Sequence, residues 1–152
     1  MKIWVDADAA PAEMKDVILR AGKRLGVDVV LVANQSLLIP VAYPQARSVC
    51  VATKSDAADH FISENSEAGD IAVTADIALA AVLVKKSVVT LDPRGAEYSV
   101  NDADARLSLR NFQEELRGAG VRTGGPKPYG AKEKKAFAEA FDRVQTKALR
   151  KR

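Results

Sequence analysis

Residues 70–92 read DIAVTADIALAAVLVKKSVVTLD, and this stretch decides the fold class. A short β-rich run at 70–74 is followed by an Ala/Leu/Val helix from Ile77 to Lys85 and by a second apolar run at 87–91. Parallel strands need a crossover connection, usually a helix, and such crossovers are right-handed in nearly all proteins. The stretch therefore predicts a β-α-β unit within a parallel sheet.

The same alternation extends towards the N-terminus. Apolar runs predict three further strands there, and apolar residues spaced three and four apart predict two further helices. These strands are 2–6, 27–32 and 48–52, and these helices are 13–25 and 55–64. The alternation indicates a three-layer α/β fold, in which a Rossmann-like parallel sheet is flanked by helices on both faces.

The chain after Asp92 is expected to be mostly helical. A loop or short hairpin reaches Tyr98, a helix runs from 101 to about 117, and a last amphipathic helix covers 131–149. A glycine-containing loop at 123–130 separates the two helices. Because no repeat and no long linker interrupts the 152 residues, we expect a single domain over residues 1–152.

Composition predicts a cytoplasmic location. The chain is 47% hydrophobic and 28% charged, and it contains no apolar run of the roughly 20 residues that a membrane-spanning helix needs. The N-terminal residues lack the pattern of a signal peptide. The single cysteine, Cys50, has no partner for an internal disulfide, which fits a reducing compartment. We expect Cys50 to be a small buried residue in a strand.

The net charge of +3 is unevenly distributed. Residues 1–100 carry 10 Lys/Arg and 13 Asp/Glu, whereas residues 101–152 carry 13 and 7. An acidic first part and a basic second part are typical of a metal site beside a surface that binds a polyanion. A solvated basic helix at the end of the chain produces the same pattern, and on charge alone it is the favoured interpretation.

Aspartates follow three of the predicted strands. Asp6 and Asp8 follow the first strand, Asp76 follows the strand at 70–74, and Asp92 follows the strand at 87–91. Because ligands bind outside the carboxyl ends of parallel strands, we expect these carboxylates to meet at one edge of the sheet. Such a cluster repels itself unless a cation neutralises it, and carboxylate oxygens suit Mg²⁺ or Mn²⁺.

Each of these aspartates also has a purely structural interpretation. Asp76 precedes Ile77 and fits the N-cap of a helix, and Asp92 precedes a proline and fits the start of a turn. Asp6 and Asp8 are harder to explain structurally, because residues two apart in a strand project to the same side. The convergence of all four favours a catalytic metal site.

A second polar group lies at the start of the predicted helix 55–64. Asp56 and Asp59 are three residues apart and are neighbours on one helical face, so either is a further candidate ligand. Asp56 also fits a helix-dipole interaction. The only histidine, His60, is expected to be exposed or structural. Asp70 begins a strand, so we expect it at the opposite edge from Asp76, with a structural role.

Four separated motifs occur along the chain: VDADA at 5–9, GDIAVTADIALA at 69–80, LDPRG at 91–95 and RTGGPKP at 122–128. Together they resemble the YaiI/YqxD family of uncharacterised bacterial proteins. The resemblance covers essentially the whole chain. It implies a PIN-like domain related to metal-dependent nucleases, in which Asp6, Asp76 and Asp92 match acidic positions and Asp56 or Asp59 is the weaker further candidate.

One residue departs from the pattern of that family. The family usually has cysteine where this chain has Ala10, between Ala9 and Pro11. Thiol chemistry or binding of a soft metal at that position is therefore excluded here. A carboxylate–metal mechanism does not need the cysteine.

The leading hypothesis is metal-dependent hydrolysis of RNA phosphodiesters. Mg²⁺ or Mn²⁺ on Asp6, Asp76 and Asp92 would activate a water molecule, with Asp8 as a ligand or a water-orienting base. Arg94 is the candidate for neutralising the phosphate. The candidates for binding the nucleic-acid strand are Arg122, Gly124, Gly125 and Lys127, since amides beside a glycine pair suit an anion. A turn that only spaces two helices is the alternative for that loop.

Two further functions fit the same residues. Asp6-Ala7-Asp8 after a first strand resembles the start of the haloacid-dehalogenase motif, in which Asp6 would be a phosphatase nucleophile and Asp8 the acid. Gly69-Asp70 with Asp76 weakly resembles the metal motif of those enzymes, but Ala10 occupies the place of their usual threonine. The other alternative is a non-catalytic module that binds RNA through its basic C-terminal half.

Overall fold

The computed structural model has its strands and helices in the predicted order, and it describes residues 1–8, 10–53, 56–101 and 129–150. Within these residues, the strands are β1 (Lys2–Asp6), β2 (Asp28–Ala33), β3 (Ala46–Cys50), β4 (Ile71–Val73), β5 (Val89–Leu91) and β6 (Glu97–Tyr98). The helices are α1 (Ala12–Leu25), α2 (Ala57–Asn65), α3 (Ile77–Lys85) and α4 (Ala131–Arg150).

The strands form one sheet in the order β3-β2-β1-β4-β5-β6. Every neighbouring pair is parallel except β5 and β6, which form the short antiparallel hairpin after Asp92. The chain builds the sheet outward from β1 through β2 to β3, and then returns to place β4 on the other side of β1. The predicted α/β class, with a mostly parallel sheet flanked by helices, is confirmed.

The strand β3 departs most from its prediction. It begins at Ala46, two residues earlier than expected, because its five residues pair with Val29 through Ala33 of β2. The prediction that Cys50 is buried is wrong, since its side chain is exposed. The reason is that β3 is the edge strand of the sheet and Cys50 is its last residue.

Alternate residues of β1 face two separate hydrophobic layers. Ile3 and Val5 pack in the layer that contains α1 and α4, where Phe137 and Phe141 stack with their ring centroids 5.4 Å apart. Trp4 packs in the other layer, between α2 and α3. Because side chains alternate along a strand, Asp6 projects from the same face as Trp4, towards α2 and α3.

Asp70 lies at the amino-terminal edge of the sheet, as predicted, and is buried. Its Oδ2 accepts hydrogen bonds from the Trp4 indole Nε1 at 3.0 Å and from the Glu67 backbone N–H at 2.9 Å. Its Oδ1 accepts from the Lys2 backbone N–H at 3.0 Å. Asp70 therefore ties β1 to the segment before β4, far from the carboxyl edge.

Gly95 allows the turn after β5 to touch α4, and we expect Gly95→Ala to destabilise the protein. The φ angle of Gly95 is +92°, and an added Cβ would lie 2.8 Å from the Ala136 carbonyl oxygen. Backbone strain and the steric clash together predict a loss of about 2–4 kcal/mol in the free energy of unfolding, measured by urea denaturation. Gly130→Ala is the control, because its added Cβ meets only the Glu133 side chain, at 3.6 Å. Equal stabilities of the two variants would contradict this account.

Several predictions fall on residues outside the described ranges. They are the helix at 101–117 beyond residue 101 and the loop with its candidate residues Arg122, Gly124, Gly125 and Lys127. Among the described helices, α3 has the predicted bounds and α4 runs one residue further than predicted. None of the described helices combines the length and apolar character needed to cross a bilayer.

Candidate functional site

Asp6 ends β1 at the carboxyl edge of the sheet, beside β4. The strand order reverses between β1 and β4, and ligands bind at such topological switch points in open α/β folds. Its Oδ2 accepts a hydrogen bond from the Thr74 hydroxyl at 2.9 Å. Burial raises the pKa of Asp6, the Thr74 hydrogen bond opposes that rise, and the charges of Asp76 and Asp8 add to it. The surroundings of Asp6 therefore disfavour its ionised form.

Asp76 is the N-cap of α3, and the predicted structural role is confirmed. Its Oδ1 accepts hydrogen bonds from the backbone N–H groups of Ala78 at 2.9 Å and Leu79 at 3.2 Å. These bonds hold the side chain in one orientation. Asp76 caps the helix and also lies close to two other aspartates, since its charge acts on both Asp6 and Asp59.

Asp59 reaches the same group from α2. The pKa of Asp59 is raised to about 7, and burial is the largest cause. The charge of Asp76 and the hydrogen bond that Asp59 donates to Asp76 raise it further, as do the charges of Asp6 and Asp56. A carboxylic acid with a pKa near 7 retains its proton far above the usual range. The structure thus brings together three carboxyls, from the ends of β1 and β4 and from α2, which we call the acidic cluster: Asp6, Asp59 and Asp76.

Asp8 lies just beyond the end of β1 and is exposed. Its Oδ1 accepts a hydrogen bond from the Asn34 backbone N–H at 2.7 Å, which joins the chain after β1 to the chain after β2. Its charge acts on Asp6. Asp8 is thus a neighbour of the acidic cluster on its solvent side.

Asp92 follows β5 and is almost fully buried. Its Oδ1 accepts hydrogen bonds from the backbone N–H groups of Arg94 and Ala96, each at 2.9 Å, and so closes the turn that Gly95 completes. The predicted turn role is confirmed, and a role as metal ligand stays a prediction. The Arg94 guanidinium lies 3.5 Å from the Glu133 carboxylate of α4, so α4 orients this candidate phosphate-binding residue.

The two acids of the second polar group have different surroundings. Asp56 is exposed and lies 3.0 Å from His60 Nε2, one helical turn away. The prediction that His60 is exposed is confirmed. Asp56 acts on the cluster through its charge on Asp59, whereas Asp59 is a member of the cluster.

Thr74 is the residue of this site that sequence reasoning did not identify. Its side chain is buried, its hydroxyl donates to Asp6, and the same oxygen accepts a hydrogen bond from the Asp76 backbone N–H at 3.0 Å. Thr74 therefore links the two acids and selects the orientation of Asp6. A hydroxyl residue at the end of a strand, two residues before an N-cap aspartate, is the sequence signal that could have identified it.

The donor atoms of the cluster fit a hard divalent cation. The three side chains offer only carboxylate oxygens, which Mg²⁺ and Mn²⁺ prefer over the nitrogen and sulfur ligands of softer metals. In the described ranges, however, no three His, Cys, Asp or Glu side chains are arranged to hold a metal ion. The chemistry of the donor atoms fits a divalent ion but their present spacing does not, so the carboxyls would have to close around a bound ion.

We expect Asp59→Asn to stabilise the metal-free protein above pH 7. The folded-state pKa of about 7 exceeds the value of 3.8 for an unperturbed aspartate, so the proton on Asp59 favours the folded state and stability falls as pH rises through this interval. A shift of this size corresponds to about 4 kcal/mol, which solvent screening of this partly exposed side chain reduces to about 1–2 kcal/mol. Asparagine should remove that loss at pH 8 in urea denaturation.

The control for this variant is Asp28→Asn, at the exposed start of β2. It should leave the dependence of stability on pH unchanged. If Asp59→Asn and Asp28→Asn have the same unfolding free energy from pH 4 to pH 8, the electrostatic description of Asp59 is wrong.

Comparison with known proteins gives a consistent family match. The profile of a family described as "Uncharacterized BCR, YaiI/YqxD family" matches residues 4–147. A UPF0178 protein of Myxococcus xanthus is 50% identical over 151 residues, which are 99% of this chain and 97% of the relative. A UPF0178 protein of Aliivibrio fischeri is 45% identical over 97% of this chain and 99% of the relative. A UPF0178 protein of Syntrophobacter fumaroxidans is 43% identical over 99% of this chain and 97% of the relative. No solved structure matches this chain.

Proposed function

We propose, for a chain that belongs to the YaiI/YqxD family of uncharacterised bacterial proteins, that its acidic cluster binds Mg²⁺ or Mn²⁺ and hydrolyses RNA phosphodiesters. The relationship to PIN-like nucleases that the family resemblance implies is part of this proposal, as is a cytoplasmic location. The proposal concerns the carboxyl edge of the sheet, at the junction of β1 and β4.

The observation that supports the proposal is the mutual repulsion that acts on Asp6 and Asp59. Each charged group described as acting on Asp6 or Asp59 is another aspartate, and each of them raises the pKa. The repulsion between these carboxyls destabilises the folded protein, and strongly perturbed pKa values of this kind are common at functional sites. A divalent cation would reverse this effect, because it attracts every member of the cluster.

The protein side chains have distinct roles in the proposed reaction. Asp6, Asp59 and Asp76 would hold the ion, with Asp92 as a further ligand. A bound divalent ion supplies Lewis acidity towards the phosphate and lowers the pKa of a bound water. Thr74 donates to Oδ2 of Asp6, and Oδ1, which has no hydrogen-bond partner among the described residues, would be available to the ion.

Asp8 and Arg94 would act on the water and the phosphate, respectively. Asp8 is exposed next to Asp6 and is held by Asn34, so it can accept a proton from a water molecule at the mouth of the site. Arg94 follows the buried Asp92 and its guanidinium is partly exposed, which suits contact with a phosphate. The RNA strand would extend to Arg122, Gly124, Gly125 and Lys127, as the sequence predicts.

The direct test is cleavage of end-labelled single-stranded RNA by the purified chain. We expect cleavage with Mn²⁺ or Mg²⁺, and none after addition of a chelator. Mn²⁺ should also raise the melting temperature, because it relieves the repulsion within the cluster. Salt-sensitive RNA binding without turnover at any metal concentration would instead identify a non-catalytic RNA-binding module.

A phosphatase is distinguished by its covalent intermediate. Formation of a phosphoryl or beryllofluoride adduct on Asp6, with hydrolysis of phosphate monoesters, would replace the nuclease proposal. The position of Asp70 weakens this alternative, because Asp70 bonds to Trp4 at the amino-terminal edge and lies away from Asp76. The resemblance of Gly69-Asp70 to a second metal motif therefore loses its geometric support.

A further inference from the structure

A cleft lies on the face of the sheet covered by α4, and it runs from the amino-terminal edge along β5 to Glu97 of β6. Its volume is about 500 Å³, within the range of about 300–1,000 Å³ that small-molecule sites usually have. One wall comes from the last two turns of α4. The other comes from the residues before β4 and β5, from Val89 of β5, and from Glu97, which pairs with Leu91 at the end of β5. The lining residues are Gly69, Ser87, Val89, Glu97, Arg143, Val144, Lys147 and Ala148.

The α4 wall of the cleft carries two cations. Arg143 and Lys147 are four residues apart, so they lie one above the other on the same helical face. Both are exposed, and neither forms an ion pair or hydrogen bond within the part of the chain that the structure describes. Both also line an adjoining cleft of about 540 Å³, to which Arg150 contributes a third cation and Asp142, which pairs with Arg24, one carboxylate. This wall therefore suits an anion.

The remaining walls are largely apolar. Val89 belongs to β5, and Val144 and Ala148 belong to α4, and all three are only partly buried against the core. A ligand with an apolar or aromatic body could cover them. Glu97 places one carboxylate in the lining, so the anionic end of a ligand would lie on the side of Arg143 and Lys147.

Ser87 gives the cleft a hydroxyl at a strained backbone position. Its φ angle is 65°, and it is the only non-glycine residue with positive φ in the described ranges. It ends α3 in a Schellman-type arrangement, in which the Val88 N–H bonds to the Leu83 carbonyl and the Ser87 N–H bonds to the Val84 carbonyl. Glycine is the usual residue at this place, so a serine that lines a cleft indicates use of its side chain.

We propose that this cleft binds a nucleotide-sized phosphate monoester. Arg143 and Lys147 bind the phosphate through charge-assisted hydrogen bonds, the Ser87 hydroxyl donates to it, and the apolar walls cover the base. The ligand class follows from the combination of paired cations, a hydroxyl and an apolar floor in a volume of this size.

This site is separate from the acidic cluster. The cleft and the acidic cluster are apart along the strands, because Gly69 and Ser87 precede β4 and β5 whereas Asp76 follows β4. They also lie on opposite faces of the sheet, since Asp6 projects towards α2 and α3. Binding in the cleft therefore requires no metal and does not depend on the proposed nuclease activity.

The test is binding of a fluorescent N-methylanthraniloyl derivative of adenosine monophosphate to the full chain, by anisotropy, at low salt and with a chelator present. Saturable binding is expected, and adenosine monophosphate should compete more strongly than adenosine. Replacing both cations (Arg143→Ala with Lys147→Ala) should weaken binding at least about tenfold. The matched control, Lys132→Ala with Lys135→Ala, removes two exposed cations of the same helix outside the cleft and should leave affinity unchanged.

Two further variants should change the binding affinity in opposite directions. Glu97→Gln should strengthen binding, because it removes the one carboxylate of the lining. Ser87→Gly should raise the melting temperature and yet weaken binding severalfold, which a merely structural serine would not do. The proposal is overturned by absence of saturable binding, by equal affinities of the two double variants, or by adenosine competing as well as its monophosphate.

Discussion

Replacing Asp6 with asparagine is expected to reduce Mn²⁺-dependent RNA cleavage by at least about 100-fold, more than the loss of an outer-shell partner usually causes. Asparagine has the same shape and still accepts the Thr74 hydrogen bond, so the local structure should persist. What it lacks is the charge that attracts the ion. Because the variant also removes repulsion from the cluster, the metal-free protein should be at least as stable as the wild type.

The matched control for Asp6→Asn is Asp28→Asn. Asp28 is an exposed aspartate that begins β2, at the opposite edge of the sheet from Asp6. Cleavage rates under saturating Mn²⁺ and the metal-induced rise in melting temperature should be normal in this control and lost in Asp6→Asn. Cleavage by Asp6→Asn at the wild-type rate would reject the assignment of the site.

The largest effect on stability is expected for Asp70→Ala. Alanine leaves three donors without their acceptor, namely the Trp4 indole N–H and the backbone N–H groups of Glu67 and Lys2. Each unsatisfied buried donor costs about 1–3 kcal/mol, and because the two backbone groups are near the surface we expect a total loss of about 3–5 kcal/mol. Urea denaturation followed by tryptophan fluorescence measures it, and Trp4 is the only tryptophan.

Two comparisons separate this structural role from a functional one. Asp28→Ala, which removes an exposed aspartate, should change the unfolding free energy by less than about 0.5 kcal/mol. At a temperature where Asp70→Ala is folded, its Mn²⁺-dependent cleavage should match the wild type, since Asp70 is at the amino-terminal edge. A stability loss below 1 kcal/mol would show that the three hydrogen bonds contribute little.

Much of the fold was predictable because its signals are local. The apolar runs and the spacing of three and four residues located β1, α1, α3 and α4 to within a residue or two. The edge position of β3 was not predictable in this way. It depends on the strand order, which no single stretch of sequence encodes, and Cys50 was consequently expected to be buried when it is exposed.

The candidate site was predictable only in part. The order of strands and aspartates predicts that Asp6 and Asp76 lie at one edge of the sheet, and their charges interact in the structure. The sequence does not distinguish Asp56 from Asp59 as a candidate ligand, and the structure places Asp59 in the cluster and Asp56 beside His60. Helical spacing makes both residues neighbours on one face, but only the angle at which α2 packs on the sheet decides which one reaches Asp76.

The sequence by itself determined the α/β class, the ends of the strands and therefore the edge at which the acids lie, because strand and helix periods act over a few neighbouring residues. Only the tertiary structure decided that β4 returns to the side of β1, so that Thr74 joins Asp6 to Asp76 across 68 residues of chain. It also decided the pKa of Asp59, since burial and the distance to other charges depend on packing between elements that are remote in sequence.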